Sequence, residues 1–96
     1  MGTLIKARAA DRVTTEPVEP SAEGRFTLEQ LQGYVGGYIE IVHLAHGRLL
    51  IINEQGKVER LTYNWTATEL AREQGAIAAD DFVAGDAVIV EATEVE

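Results

Sequence analysis

Cysteine is missing from all 96 residues. Its absence excludes disulfides, a thiol nucleophile and any zinc or iron–sulfur centre built on thiolates, and it fits a reducing, cytoplasmic setting. Histidine occurs only at His43 and His46. On an extended chain, residues three apart point to opposite faces, so the two rings do not make a metal pair, and no metal is expected. No run approaches the roughly 20 apolar residues of a membrane span. The apolar start, residues 1–6, is too short for a secretory signal. Basic residues are scarce, with 8 Lys and Arg against 16 Asp and Glu and a formal charge of -8. Such a surface repels phosphates, so neither nucleic acid nor a membrane is an expected partner. The acids are spread along the chain with basic residues between them, which argues against a DNA mimic.

Catalytic signatures are missing as well. The chain has no Walker loop, dinucleotide fingerprint, nucleophile elbow or metalloprotease helix. The glycine-rich run Gly33-Tyr34-Val35-Gly36-Gly37 follows a helical pattern and precedes a strand pattern, the reverse of a phosphate loop. The expectation is a protein that is not an enzyme and carries no cofactor. Glu40, Glu54 and His43 are the only groups worth testing as a catalytic base.

What is present suits one small α+β domain over residues 1–96, with 46% hydrophobic residues. A chain of this length buries only about 60–65% of its unfolded surface, so its stability is expected to be modest. Residues 3–9 and 13–18 read as paired strands around an Ala10-Asp11 turn, with Pro17 marking an edge. Residues 20–26 read as a loop. Thr27 and Gln30 have capping-box spacing, and Phe26 and Leu31 have the spacing of a hydrophobic staple. A helix is therefore predicted over 28–35, ended by Gly36-Gly37.

Residues 38–44 and 48–53 predict a β-hairpin around Ala45-His46-Gly47, with a type I turn and a glycine bulge. That register opposes Leu44 to Arg48 and Ile41 to Ile51. Ile39, Ile41, Leu49 and Ile51, flanked by His43 and Asn53, form the predicted core face. The opposite face, with Glu40, Val42, Leu50 and Ile52, is too apolar to be wet and needs a helix or a second subunit over it. Residues 58–63 read as the third strand of a meander. A second capping box, Thr66 to Glu69, predicts a short helix ending at Gly75. Residues 87–90 read as a central strand, and residues 92–96 as a flexible acidic tail. The fold class expected is a small, mainly antiparallel sheet, a hairpin meander, packed with two short helices.

One polar cluster stands out: Asn53, Glu54, Tyr63, Asn64, Trp65, Thr66 and Thr68. It has two readings. In one, asparagine serves the turns and threonine the caps. In the other, the cluster is a polar pocket walled by Tyr63 and Trp65, with helix amides for a phosphate. Glu69, at the third position of the predicted helix, would occupy one of those amides and repel an anion.

The stretch Val35-Gly36-Gly37-Tyr38-Ile39-Glu40 resembles a family of short phage- and plasmid-encoded proteins of unknown function. The likeness continues through Asn53-Glu54-Gln55-Gly56-Lys57, Asn64, Ala67-Thr68 and Gly85-Asp86-Ala87-Val88-Ile89-Val90, over residues 27–91. Residues 71–81 look expanded relative to the family's compact form. Glu40, Asn53, Glu54, Asn64 and Thr68 are the polar positions that match. The resemblance implies a mobile-element setting inside a bacterial host cell and little about chemistry.

Together these readings favour a non-enzymatic binding protein of a phage or other mobile element. In its sharpest form it is a counter-defence protein that sequesters a small nucleotide immune signal, assembled as a homo-oligomer. The candidate ligand-binding residues are Tyr38, Glu40, Asn53, Glu54, Asn64, Trp65 and Thr68, with Arg48, Arg60 or Arg72 for phosphate. The alternative is an acidic protein–protein inhibitor or adaptor acting on a basic host protein.

Overall fold

The computed structural model describes residues 1–8 and 12–95. Gly2–Arg8 (β1) and Arg12–Val18 (β2) pair antiparallel, Gly2 opposite Val18 and Arg8 opposite Arg12. The expected Ala10-Asp11 turn lies outside the described residues. Leu28–Val35 forms α1, as its local signals require. The Thr27 hydroxyl accepts from the Gln30 N–H at 3.1 Å. Phe26 and Leu31 are both buried in one apolar cluster. Gly36 ends the helix at φ 78°, a backbone state open to glycine at little cost. The reciprocal half of the expected box is not made: Gln30 Nε2 donates to Glu19 O at 2.9 Å and to the Tyr34 hydroxyl at 3.0 Å, and Oε1, the atom that would accept the Thr27 N–H, is buried without a partner among the described residues.

Ile39–His43 (β3) and Arg48–Asn53 (β4) form the hairpin in the expected register, with Ile41 opposite Ile51. Its turn differs from expectation. His46 and Gly47 both have positive φ, 62° and 71°, and the Arg48 N–H returns to Ala45 O. That is a type I′ geometry, whose twist matches the flanking strands.

The expected third strand of a meander is not formed. Residues 54–60 instead coil into one helical turn. Glu59 N–H donates to Gln55 O at 2.8 Å, Arg60 N–H to Lys57 O at 3.1 Å, and Leu61 N–H to Gly56 O at 2.9 Å. Arg60, at φ 56°, is the left-handed residue that closes this Schellman-type ending. The place beside β4 goes to Ala87–Glu91 (β5), which also pairs with β1. The sheet order is therefore β2-β1-β5-β4-β3, every neighbour antiparallel. β5 wins the slot because its residues are apolar on both faces, whereas Glu59 and Arg60 would put charges into the middle of a covered sheet.

Trp65–Glu73 forms α2. Its N-cap is Asn64, not Thr66. The Asn64 Oδ1 accepts the Ala67 N–H at 3.1 Å, which places the cap two residues before the expected one. The helix runs to Glu73 with Gln74 as its C-cap, and Gly75, the expected terminator, follows at φ 66°.

The two helices cover opposite faces of the sheet. Against α1, Leu4, Phe26, Leu31, Val35, Leu49, Ile51, Val88 and Val90 form one core. Against α2 and residues 76–83, Val42, Leu44, Leu50, Ala67, Ala71, Val83 and Ala87 form a second. The face expected to need a helix or a second subunit is thus closed by the chain's own helix. Ile41, assigned to the core face, is 41% exposed because β3 is the edge strand. The radius of gyration, 12.3 Å, is close to the ~13 Å of a single compact body of this size.

Residues 92–95, expected within a flexible tail, are tethered. Ala92–Glu94 is a short 3-10 turn, Glu94 O accepts the Phe26 N–H, the Glu94 carboxylate pairs with the Met1 ammonium, and Val95 packs on the first core. Among the described residues, no helix is long and apolar enough to cross a membrane.

Candidate functional site

Three of the polar residues singled out from sequence are buried and engaged in holding the fold. Asn64 has no exposed surface. Besides capping α2, its Nδ2 donates to Ile5 O at 3.0 Å and to Gly85 O at 2.9 Å, tying the helix to β1 and to the entry of β5. The Thr68 hydroxyl accepts the Val83 N–H at 2.9 Å and donates to Val83 O at 3.4 Å. Asn53 donates from Nδ2 to Val35 O at 3.0 Å and accepts the Gln55 N–H at 2.7 Å, joining the end of α1 to the turn after β4. The cap reading describes what Asn64 does and the turn reading what Asn53 does, whereas Thr68 lies within α2 and ties it to Val83.

The other four are exposed, and they fall into different places. Tyr38, 72% exposed, stands at a cavity of about 290 Å³ lined by Gln32, Gly37, Asn53, Gln55 and Glu59. This cavity lies between the end of α1 and the helical turn 54–60. The turn matters to it, because the i, i+4 spacing puts Gln55 and Glu59 on one side of a helix.

Glu40 and Glu54 line a second cavity of about 180 Å³ on the α2 side of the hairpin. Val42, Ile52, Ile77 and Val83 contribute apolar walls, and Lys57, Asp81 and Phe82 close it. The Lys57 ammonium pairs with the Asp81 carboxylate and sits 5.0 Å from the centroid of the Phe82 ring.

Trp65, 41% exposed, belongs to an aromatic row rather than to either cavity. Its ring centroid is 4.6 Å from that of Tyr63, and Tyr63 stacks on Phe82 at 5.4 Å and 15°. The cluster read from sequence is therefore brought together only in part: Tyr38 meets Asn53, Glu40 meets Glu54, and Trp65 meets Tyr63. Arg72 donates from Nε to Asp81 O at 2.8 Å, so one of the three guanidiniums assigned to phosphate already serves a backbone carbonyl. A third concavity, about 320 Å³ between Tyr34, Leu61 and Asp86, holds none of the residues singled out. Its carboxylate is engaged by the Ala7 N–H at 2.9 Å and by Arg8 at 3.1 Å.

Lys57, Phe82, Gln32, Gln55 and Glu59 were not singled out from sequence. Gln55 and Glu59 carry a helical spacing, masked because the overlapping residues 58–63 read as a strand. Lys57 and Phe82 lie far apart in the chain, and no local pattern joins them.

Asp81 is held below the ordinary carboxylate value, first by the hydrogen bond from Lys57, then by the Phe82 N–H, with smaller charge effects from Lys57 and Arg72. A depressed pKa stabilises the fold above the unfolded value of 3.8, and that stabilisation is lost as the pH falls through the folded value. The pair is partly exposed, so it contributes less than about 1 kcal/mol. Asp81→Asn should melt slightly below wild type at neutral pH, and the gap should narrow as the pH falls below 3.8 and close below the folded value. Glu94, lowered chiefly by the Met1 ammonium, titrates in both proteins and cancels from the comparison. Melting temperatures across an acid series check this, and a gap that persists at the acid end would contradict it.

The arrangement offers stacking, amide hydrogen bonding and carboxylate charge. Among the described residues, no group of three His, Cys, Asp or Glu is placed to hold a metal ion. Against this geometry, the sequence profile of a family described as "Domain of unknown function (DUF3846)" matches residues 9–96. The chain belongs to that family. The match takes in both helices, the hairpin and all the cavity-lining residues named above except Ala7 at the third concavity. No curated protein and no solved structure matches the chain.

Proposed function

We propose that this DUF3846 chain is a non-enzymatic binding protein of a phage or other mobile element, and that it takes up a small planar ligand at the Tyr38 cavity. The observation that carries this reading is the exposed Tyr38 ring beside a hollow otherwise lined by glycine, amides and one carboxylate. An exposed phenol ring offers a face for stacking. Gln32, Gln55 and Glu59 offer hydrogen-bond donors and acceptors of the kind that the edge of a base can use. The volume, about 290 Å³, falls at the lower end of ligand sites, which run from about 300 to 1,000 Å³, and so suits a base or nucleoside. In the sharpest form, the ligand is a nucleotide immune signal and the protein withholds it from host defence inside the bacterial cell. Arg60, exposed at the end of the turn that carries Gln55 and Glu59, is the guanidinium this reading assigns to a phosphate.

Thermal-shift screening with nucleosides, cyclic dinucleotides and ADP-ribose derivatives tests it. A ligand present at 100 times its Kd should add about 2.7 kcal/mol of stability. Tyr38→Ala should change the unliganded protein by no more than about 0.5 kcal/mol, since the ring is exposed, and should abolish the shift. The absence of any shift, with every compound far above plausible affinity, would sink the reading.

A second reading, an acidic adaptor for a basic partner, is favoured by the other cavity. Its apolar walls are rimmed by Glu40, Glu54 and Asp81, in a chain of net charge -8.

A further inference from the structure

We infer that the free β3 edge beside the Glu40 cavity is a docking site for an extended basic segment of a partner protein, added as a further strand of the sheet. The inference rests on the adaptor reading and gives it a location and a partner chemistry.

The edge is open and its hydrogen-bonding pattern follows from the hairpin. The Glu54 N–H donates to Tyr38 O, and the Leu44 N–H donates to Arg48 O. Paired residues of an antiparallel ladder alternate between bonded and non-bonded, so Glu40 and Val42 also direct their backbone groups to β4. Ile39, Ile41 and His43 then direct theirs away from the sheet. β3 lies at one end of the strand order. It has no proline or lysine, and it pairs with β4 without a bulge. The opposite edge, β2, carries Pro17, which removes a backbone donor. Natural sheets usually blunt an edge with such devices, and β3 has only Glu40.

The side chains beside this edge state what would be accepted there. On the α2 side, Glu40 and Val42 face the 180 Å³ cavity together with Ile52, Ile77 and Phe82. That volume is smaller than a ligand pocket and suits one long side chain. Carboxylates at the rim over an aliphatic and aromatic wall match an arginine or lysine, whose stem is apolar and whose end is charged. Lys57 already takes Asp81 and the face of Phe82, so the carboxylates left for an added cation are Glu40 and Glu54. On the α1 side, Ile41 is 41% exposed. A strand added here therefore presents cations towards Glu40 and Glu54, and apolar residues towards Ile41. A cation directly opposite Glu40 makes a favourable cross-strand pair.

A second copy fits this edge less well. Two-fold pairing through the outward groups sets Ile41 against its own copy and Glu40 against Val42 of that copy, leaving the carboxylates unmatched. Strand addition of a basic segment satisfies both the backbone and the charge.

The test uses fluorescence anisotropy with labelled peptides of alternating arginine and valine. Controls are the same composition in two blocks, an alternating glutamate–valine peptide, and the alternating peptide N-methylated on the amides that would join the ladder. The expected result is salt-sensitive binding of the alternating basic peptide alone, lost on N-methylation and weakened about fivefold by Glu40→Gln with Glu54→Gln. Both substitutions are at exposed positions, and unchanged melting temperatures confirm the fold. Binding indifferent to N-methylation or to the two substitutions overturns the edge site while leaving a basic partner in place. No binding of any basic peptide at low salt overturns the adaptor reading as well. A dimer by sedimentation that Ile41→Lys dissociates would give the edge to a second copy and overturn the proposal.

Discussion

Replacing Asn64 with alanine should cost about 3 kcal/mol of folding stability, a large share of what a domain this small possesses. The side chain makes three hydrogen bonds, to Ala67 N, Ile5 O and Gly85 O, from a position with no exposure. Losing the cap alone costs about 1 kcal/mol. The rest comes from two carbonyls left dry, each worth roughly 1–3 kcal/mol when no water can enter. Asn64→Ser separates the two effects. Serine is also a good N-cap, but it lacks the amide that reaches β1 and the approach to β5. It should recover only about 1 kcal/mol of the loss. Urea unfolding measures this as a fall in midpoint at constant m. In a domain of this length, 3 kcal/mol lowers the melting temperature by roughly 12–24 °C. A loss confined to the cap, with serine equal to asparagine, would show that the ties to the sheet carry nothing.

Gly56→Ala is the second large effect. A Cβ at this position would lie 2.3 Å from Ala84 O and 3.4 Å from Asn53 O. Both obstacles are backbone, so no flexible side chain can swing aside. Either the 54–60 turn or the chain at Ala84 must move, at a cost of roughly 3 kcal/mol, the upper end for overpacking. The consequence reaches the Tyr38 cavity, because Gln55 and Glu59 are carried on that same turn. The variant should therefore lose ligand-induced stabilisation along with its own stability. Gly33→Ala is the opposing control. Gly33 lies within α1, and a Cβ added there would meet nothing within 4 Å. There alanine should stabilise by up to about 1 kcal/mol, through helix propensity. Melting temperatures of the two variants should move in opposite directions; if both rise, the backbone contact at Gly56 is not a constraint.

The two helices and the hairpin differ in how legible they were. For α1, Thr27, Phe26, Leu31 and Gly36 lie within a few residues of one another, and each acts on its immediate neighbours. The hairpin register follows from alternation on both sides of a short turn. For α2, the Thr66–Glu69 spacing imitated a capping box, while the true cap, Asn64, was chosen by partners 59 and 21 positions away. Residues 58–63 read as a strand and failed to become one, because β5 offers a better surface for the same slot.

The candidate site shows the same division. Tyr38 and Glu54 stood out as aromatic and acid, and each is exposed and lines a cavity at the hairpin, while Asn53 touches both cavities with its amide already bonded to Val35 O and Gln55 N. Asn64 and Thr68 stood out equally and are occupied within the core. Residue type alone does not distinguish a polar group awaiting a ligand from one already satisfied. That depends on whether a distant carbonyl arrives beside it.

By itself, then, the sequence determined the pieces: α1 and its caps, the hairpin register, a two-faced apolar ribbon, and an acidic chain without thiols. The tertiary structure decided the order of strands, the use of the chain's own α2 to close the second face, and the meeting of Lys57 with Asp81 and Phe82. The reason is the range of the forces. Caps, turns and alternation act over a few residues and are written locally, whereas a place in the sheet is won in competition among segments far apart in the chain.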